Sequence, residues 1–200
     1  MAWEHVVLFA NELFTDGATV DRAIWINIPH KADDDYITRL AQLLKCGSDG
    51  VQPWVVTPGT AASACAGGSP TYPALDANIK IYVEWSNEVW NTIFSQANDN
   101  LTAAQNEVNA GGSPLNFDNF YTPPISGNTG WEAAWRRVAK RGLETSLIFR
   151  GVFGDAAMMT RVRPVYMTQA LRQEVFYEGA RMLLGYYDNL GGAFVGTPHP

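Results

Sequence analysis

IYVEWSNEVWN, residues 81–91, is the stretch on which the reading of this chain turns. It begins with β-formers, Ile81, Tyr82 and Val83, and runs into a polar cluster, Ser86, Asn87 and Glu88, before a second Trp-Asn pair. A strand that ends on a polar cluster suits a parallel α/β sheet, where ligands bind beyond the C-terminal strand ends. Two carboxylates fall inside the stretch, Glu84 within the strand and Glu88 just past it.

Working outward, the same arrangement recurs. WEHVVLFANEL (3–13) carries apolar residues on one helical face and is closed by the polar run FTDGATVDR. AIWINI (23–28) is a short β-rich run stopped by Pro29 and followed by His30. ADDDYITRLAQLL (32–44) reads as a helix capped by Asp33 or Asp34, with acidic side chains at its positive end. The segment 47–78 is rich in Gly, Pro, Ser, Thr and Ala and is expected to be a long loop, as is 111–130. Between them, NTIFSQANDNLTAAQNEVNA has helix-forming composition. WEAAWRRVAKRGLETSLIFRGVF (131–153) is the longest helical signal, RVRPVYMTQ (161–169) reads as a strand ending at Thr168 and Gln169, and EVFYEGARMLLGYYDN closes the series as a helix. Such alternation predicts an α/β fold of parallel strands joined by helical crossovers. Each strand then ends on polar or aromatic groups: Asn27 and His30, Asn87 and Glu88, Thr168 and Gln169.

Composition narrows the function classes. Charged residues are 17% of the chain, below the roughly 25% usual for soluble domains, and 12% are aromatic. The net charge of −6 argues against nucleic acid as a partner, which needs a basic footprint. The one basic run, WRRVAKR, places Arg136, Arg137, Lys140 and Arg141 at helical spacings and reads as a solvated helix face. No run reaches the roughly 20 apolar residues of a transmembrane helix, so no membrane is implied. Three histidines and the lack of a CxxC predict no metal site. No Gly-x-Ser-x-Gly elbow or phosphate loop is present. Cys46 and Cys65 flank the Gly/Pro/Ser/Thr/Ala-rich first part of the 47–78 loop; pairing would be worth about 3 kcal/mol by chain entropy, and two free thiols are the alternative.

Glu84 reads as a paired strand residue. Glu88 reads either as a carboxylate answering a helix dipole or as something more specific. Trp85 and Trp90 bracket Glu88 with apolar faces that would desolvate it and raise its pKa, the condition for a general acid near neutral pH. Asn87 offers an amide to a sugar hydroxyl.

A strand followed by Asn-Glu resembles the fourth-strand motif of the clan A glycoside hydrolases, retaining enzymes on a (β/α)8 barrel. WINIPHKADDDYITRLAQLL, CGSDG, IYVEWSNEVWN, WRRVAKR and FRGVFGDAAMMTRVRPVYMTQ together resemble a group of bacterial extracellular proteins with such a barrel, often labelled cellulose-binding. The resemblance spans Trp25 to Gln169. It implies a partial (TIM) barrel of about strands three to five with their helices, the 200 residues being a fragment of one such domain. It also implies that Glu88 is the acid/base, that Asn87 holds the sugar's 2-hydroxyl, and that His30 lines the same site. Asn27, Trp25, Trp90, Tyr166 and Gln169 are candidate lining residues by position, with core packing the alternative for the tryptophans.

A retaining mechanism needs a second carboxylate about 5–5.5 Å away, which in these barrels comes from the seventh strand. The sequence is expected to stop before it, so the chain would be inactive alone and would need the remainder of its barrel. The function implied is that of a fragment of a retaining β-glycoside hydrolase acting on polysaccharide or oligosaccharide, without a cofactor. A non-catalytic carbohydrate-binding (cellulose-binding) barrel module is the alternative. The resemblance further implies an extracellular protein whose signal peptide is missing from this piece and in which Cys46 and Cys65 are disulfide-bonded.

Overall fold

The computed structural model describes residues 2–13, 22–53, 65 and 69–188. Among these described residues, five α-helices and three strands follow the order α1 (Trp3–Leu13), β1 (Arg22–Ile28), α2 (Asp34–Cys46), β2 (Ile79–Trp85), α3 (Ser95–Asn109), α4 (Trp131–Phe153), β3 (Val162–Val165) and α5 (Gln173–Asp188). The strands form one small parallel sheet in the order β1-β2-β3, with Ile81 opposite Val162 and Glu84 opposite Val165.

The expected partial barrel is therefore corrected to a mixed α/β fold built on a three-stranded sheet. Among the described residues the three strands make only a small open sheet, and three paired strands do not establish the continuing tilt and shear that define a barrel wall. The third strand is also shorter than RVRPVYMTQ promised. It stops at Val165, so Thr168 and Gln169 lie in the following loop.

The chain divides into two compact units, residues 1–84 with 144–165, and residues 85–143 with 166–200. In the first, β1 alternates, with Ile26 and Ile28 buried and Trp25 and Asn27 exposed. β2 buries Ile79, Ile81 and Val83. α2 starts where Asp33 accepts a hydrogen bond from the Tyr36 N–H, and its buried stripe is Ile37, Leu40, Ala41 and Leu44. It ends at Gly47, whose φ of 79° and ψ of −168° belong to a region only glycine occupies readily. A Cβ there would lie 2.4 Å from the Tyr72 carbonyl oxygen, because Ser48 and Tyr72 exchange backbone hydrogen bonds of 2.9 Å. Cys46 is disulfide-bonded to Cys65, with the Cα atoms 5.5 Å apart. That bond closes a 19-residue separation, worth about 3 kcal/mol by chain entropy.

The second unit is organised around Arg136. Only 1% exposed, its guanidinium donates to Asp118 through both terminal nitrogens at 2.9 Å, to Glu178 at 2.7 Å and to the Leu115 carbonyl at 2.8 Å. Arg181 reaches the same two carboxylates, and both guanidinium groups stack on the Phe117 ring, at 4.7 and 5.1 Å. Burial pushes the Asp118 carboxyl up, but the bonds and charge of Arg136 outweigh it and hold the group below the usual carboxylate range. Glu107 is likewise raised by burial and pulled below that range by Lys140 and Arg137, each 2.7 Å away. The basic run is thus not a solvated face. Periodicity placed these cations on a helix, but their partners come from α3, α5 and a loop. The apolar core of this unit includes Leu101, Ala104, Val108, Leu115, Ile125 and Met182.

Gly47→Ala should lower the urea-derived unfolding free energy by at least about 2 kcal/mol; an unchanged midpoint would contradict the clash. Arg136→Ala should cost about 3 kcal/mol, since it leaves Asp118 and the buried Glu178 with Arg181 as their remaining cation, with Arg136→Lys restoring only part of this because a lysine lacks the fork. The depressed carboxyls Asp118 and Glu107 give the pH sign. Their contribution is present above the unfolded carboxyl values of about 4 and is lost as pH falls through the lower folded ones, so urea midpoints measured from pH 6 down to pH 3 should fall in the wild type and fall less in Arg136→Lys.

Candidate functional site

Past β2 the backbone does something costly. Ser86 and Glu88 both take positive φ, 66° and 46°, on either side of Asn87. Left-handed backbone costs an L-residue about 1–2 kcal/mol each, and two such residues in three positions persist only where the surroundings impose them. Here the surroundings include the Gln96 side chain, which donates to the Asn87 carbonyl at 2.9 Å, and Asn91, whose side-chain N–H₂ donates to Glu88 Oε2 at 3.3 Å while its backbone N–H donates to the Glu88 carbonyl at 2.9 Å. Glu88 is half-buried and Asn87 exposed.

Asn91 also lines a cleft of about 520 Å³. Trp131 and Trp135 enter it from α4, where a spacing of four puts both on one face. Trp90 comes from the turn after β2, and Gln169, Arg172 and Val175 from the loop after β3 and the start of α5. Glu132 adds a carboxylate, fixed where the Tyr121 hydroxyl donates to it at 2.5 Å. Burial and that neighbouring carboxylate push the Tyr121 hydroxyl well above its ordinary pKa, so it stays a donor. Three indoles, two amides, an acid and a guanidinium thus share one concavity, of the size of small-ligand sites.

Of the sequence-derived residues, Trp90 and Gln169 line this cleft, and Glu88 is tied to it through Asn91. Tyr166 does not line it. Its ring lies against Gly179, where a Cβ would come within 1.7 Å of the hydroxyl oxygen, its hydroxyl donates to the Val175 carbonyl at 3.4 Å, and burial pushes its pKa up to about 12. Trp25, Asn27 and His30 belong to the other unit. Asn27 is exposed on β1, and His30 is half-buried in the turn after it. Sequence reading passed over Trp131, Trp135 and Glu132, although the i, i+4 tryptophan pair was visible.

Glu84 is more than a paired strand residue. It is 2% exposed and its Oε2 accepts from the Trp25 indole N–H at 2.9 Å. Burial raises its pKa, against the hydrogen bonds of Trp25 and Asn27 that lower it, and Oε1 is buried without a hydrogen-bond partner.

No protein-family model, curated protein or solved structure matches the chain. Its function therefore rests on its own geometry. Among the described residues no group of three or more His, Cys, Asp or Glu side chains is placed to hold a metal ion, and no helix is long and apolar enough to cross a membrane.

The backbone cost at Glu88 has a direct readout. Ala normally stabilises relative to Gly, but at φ 46° the order should invert, with Glu88→Gly more stable than Glu88→Ala by about 1 kcal/mol in urea unfolding. Both lose the same carboxylate, so a preference for Ala would show that the left-handed turn is not imposed on this residue.

Proposed function

We propose that the chain binds a β-linked polysaccharide or oligosaccharide in the tryptophan-lined cleft. The observation that carries this is the meeting of Trp90, Trp131 and Trp135 with Gln169, Glu132 and Arg172 in one concavity of about 520 Å³. Pyranose rings have an apolar face of C–H bonds and an equatorial rim of hydroxyls. Indoles match the face, and the amide, carboxylate and guanidinium match the rim. The disulfide supports an oxidising, extracellular setting, where such polymers are met.

A second reading, hydrolysis with retention using Glu88 as acid/base, is supported by the strained Ser86–Glu88 turn, since strain of this kind clusters at active sites. In that reading Glu88 protonates the departing glycosidic oxygen, Asn87 bonds the 2-hydroxyl, and a second carboxylate is still needed for the covalent intermediate.

Calorimetry with cellohexaose separates the two. Binding is expected, weakened about tenfold by Trp135→Ala, with no release of reducing sugar. Reducing sugar appearing with the wild type and disappearing in Glu88→Gln would select hydrolysis. Affinity unaltered by Trp90→Ala and Trp135→Ala would remove the cleft from the account.

A further inference from the structure

In the unit that holds the sheet, Trp25 is 56% exposed although β1 is otherwise firmly packed on its opposite face. One face of its indole is taken: it stacks on Tyr82 with centroids 5.6 Å apart and planes 13° from parallel. Tyr82 is backed in turn by Arg163, whose guanidinium lies 5.5 Å from the ring centroid and donates to the phenol oxygen at 2.9 Å. The indole edge is also taken, its N–H donating to the buried Glu84 at 2.9 Å. What stays open to solvent is the outer π face.

An exposed tryptophan with no task needs no such fixing. Here an ordered column of guanidinium, phenol and indole is held by two side-chain hydrogen bonds, which removes the rotamer freedom a partner would otherwise have to freeze. Beside it Asn27, exposed on the same sheet face, adds a second side-chain hydrogen bond to Glu84, and the Glu84 Oε1 is a buried acceptor without a partner, the kind of atom that needs a water or a ligand group nearby.

We propose that Trp25 is a stacking platform for a pyranose ring of a neutral β-linked glycan, backed by Tyr82 and Arg163 and locked by Glu84. The glycan as ligand class rests on the functional reading above; the platform itself rests on the geometry of the sheet face. With the indole N–H already spent, recognition is by the flat face of the ring, which favours the all-equatorial faces of β-glucosyl units over the curved chain of an α-linked glucan. The net charge of −6 disfavours the stacked bases of nucleic acids, whose phosphates would be repelled.

Hydroxyl-radical footprinting read by mass spectrometry, on the full chain with and without cellohexaose, tests this one tryptophan at a time. Oxidation of Trp25 should fall severalfold with cellohexaose and stay unchanged with maltohexaose. Protection at Trp90, Trp131 and Trp135 without protection at Trp25 would overturn the platform and leave the cleft. Protection at Trp25 alone would support the platform and overturn the cleft. Protection at none of them would overturn both. In calorimetry Trp25→Ala should bind cellohexaose about tenfold more weakly, and Trp25→Phe, which keeps a ring but loses the bond to Glu84, should fall between; wild-type affinity in Trp25→Ala would overturn the proposal.

Discussion

A buried guanidinium cannot remain without negative charge around it, and that constraint organises the unit containing the tryptophan cleft. Arg136 has lost its water and is answered by Asp118 from the loop after α3, Glu178 from α5 and the Leu115 carbonyl. One side chain thereby pins a loop and two helices to each other. The same loop carries Tyr121, which fixes Glu132, and the same helix as Arg136 carries Trp131 and Trp135. The helix that carries two of the cleft's three indoles is thus held by the ion network. Buried ion pairs are weak evidence for net stability but costly to break once formed, which suits a device that fixes geometry.

The functional reading draws on a second kind of cost. Ser86 and Glu88 hold left-handed backbone around Asn87, with Gln96 and Asn91 bonded to the turn. A turn that had only to link a strand to a helix is most cheaply made with glycine, so Ser and Glu at these positions point to their side chains. Aromatic stacking and strained polar turns are separate observations, and they lead to binding and to hydrolysis respectively.

How much was legible in the sequence depended on how far apart in the chain the cause and its partner lie. α1, α4 and the Asp33 cap of α2 could be read because helix periodicity and capping are local. The start of β2 was legible from its β-formers, whereas β3 was overextended because Tyr166 and Met167 look like strand residues and the pairing that ends at Val165 is non-local. Arg136 was misread for the same reason: its partners sit 18 and 42 positions away. Glu84 was read only as a paired strand residue because nothing near it in sequence announces that Trp25, 59 positions earlier, will donate to it. The barrel expectation rested on likeness at strand ends, and likeness there does not determine whether a sheet curves toward closure; the described strands form only a small parallel sheet.

The most direct test of the account is a ¹H–¹⁵N spectrum of the seven tryptophan indoles, recorded while cellohexaose is titrated in. The account requires the Trp90, Trp131 and Trp135 signals to move together along one binding isotherm, and the Trp3 indole, which donates to the Tyr36 hydroxyl, to stay in place. A titration in which the three cleft indoles do not move would contradict it.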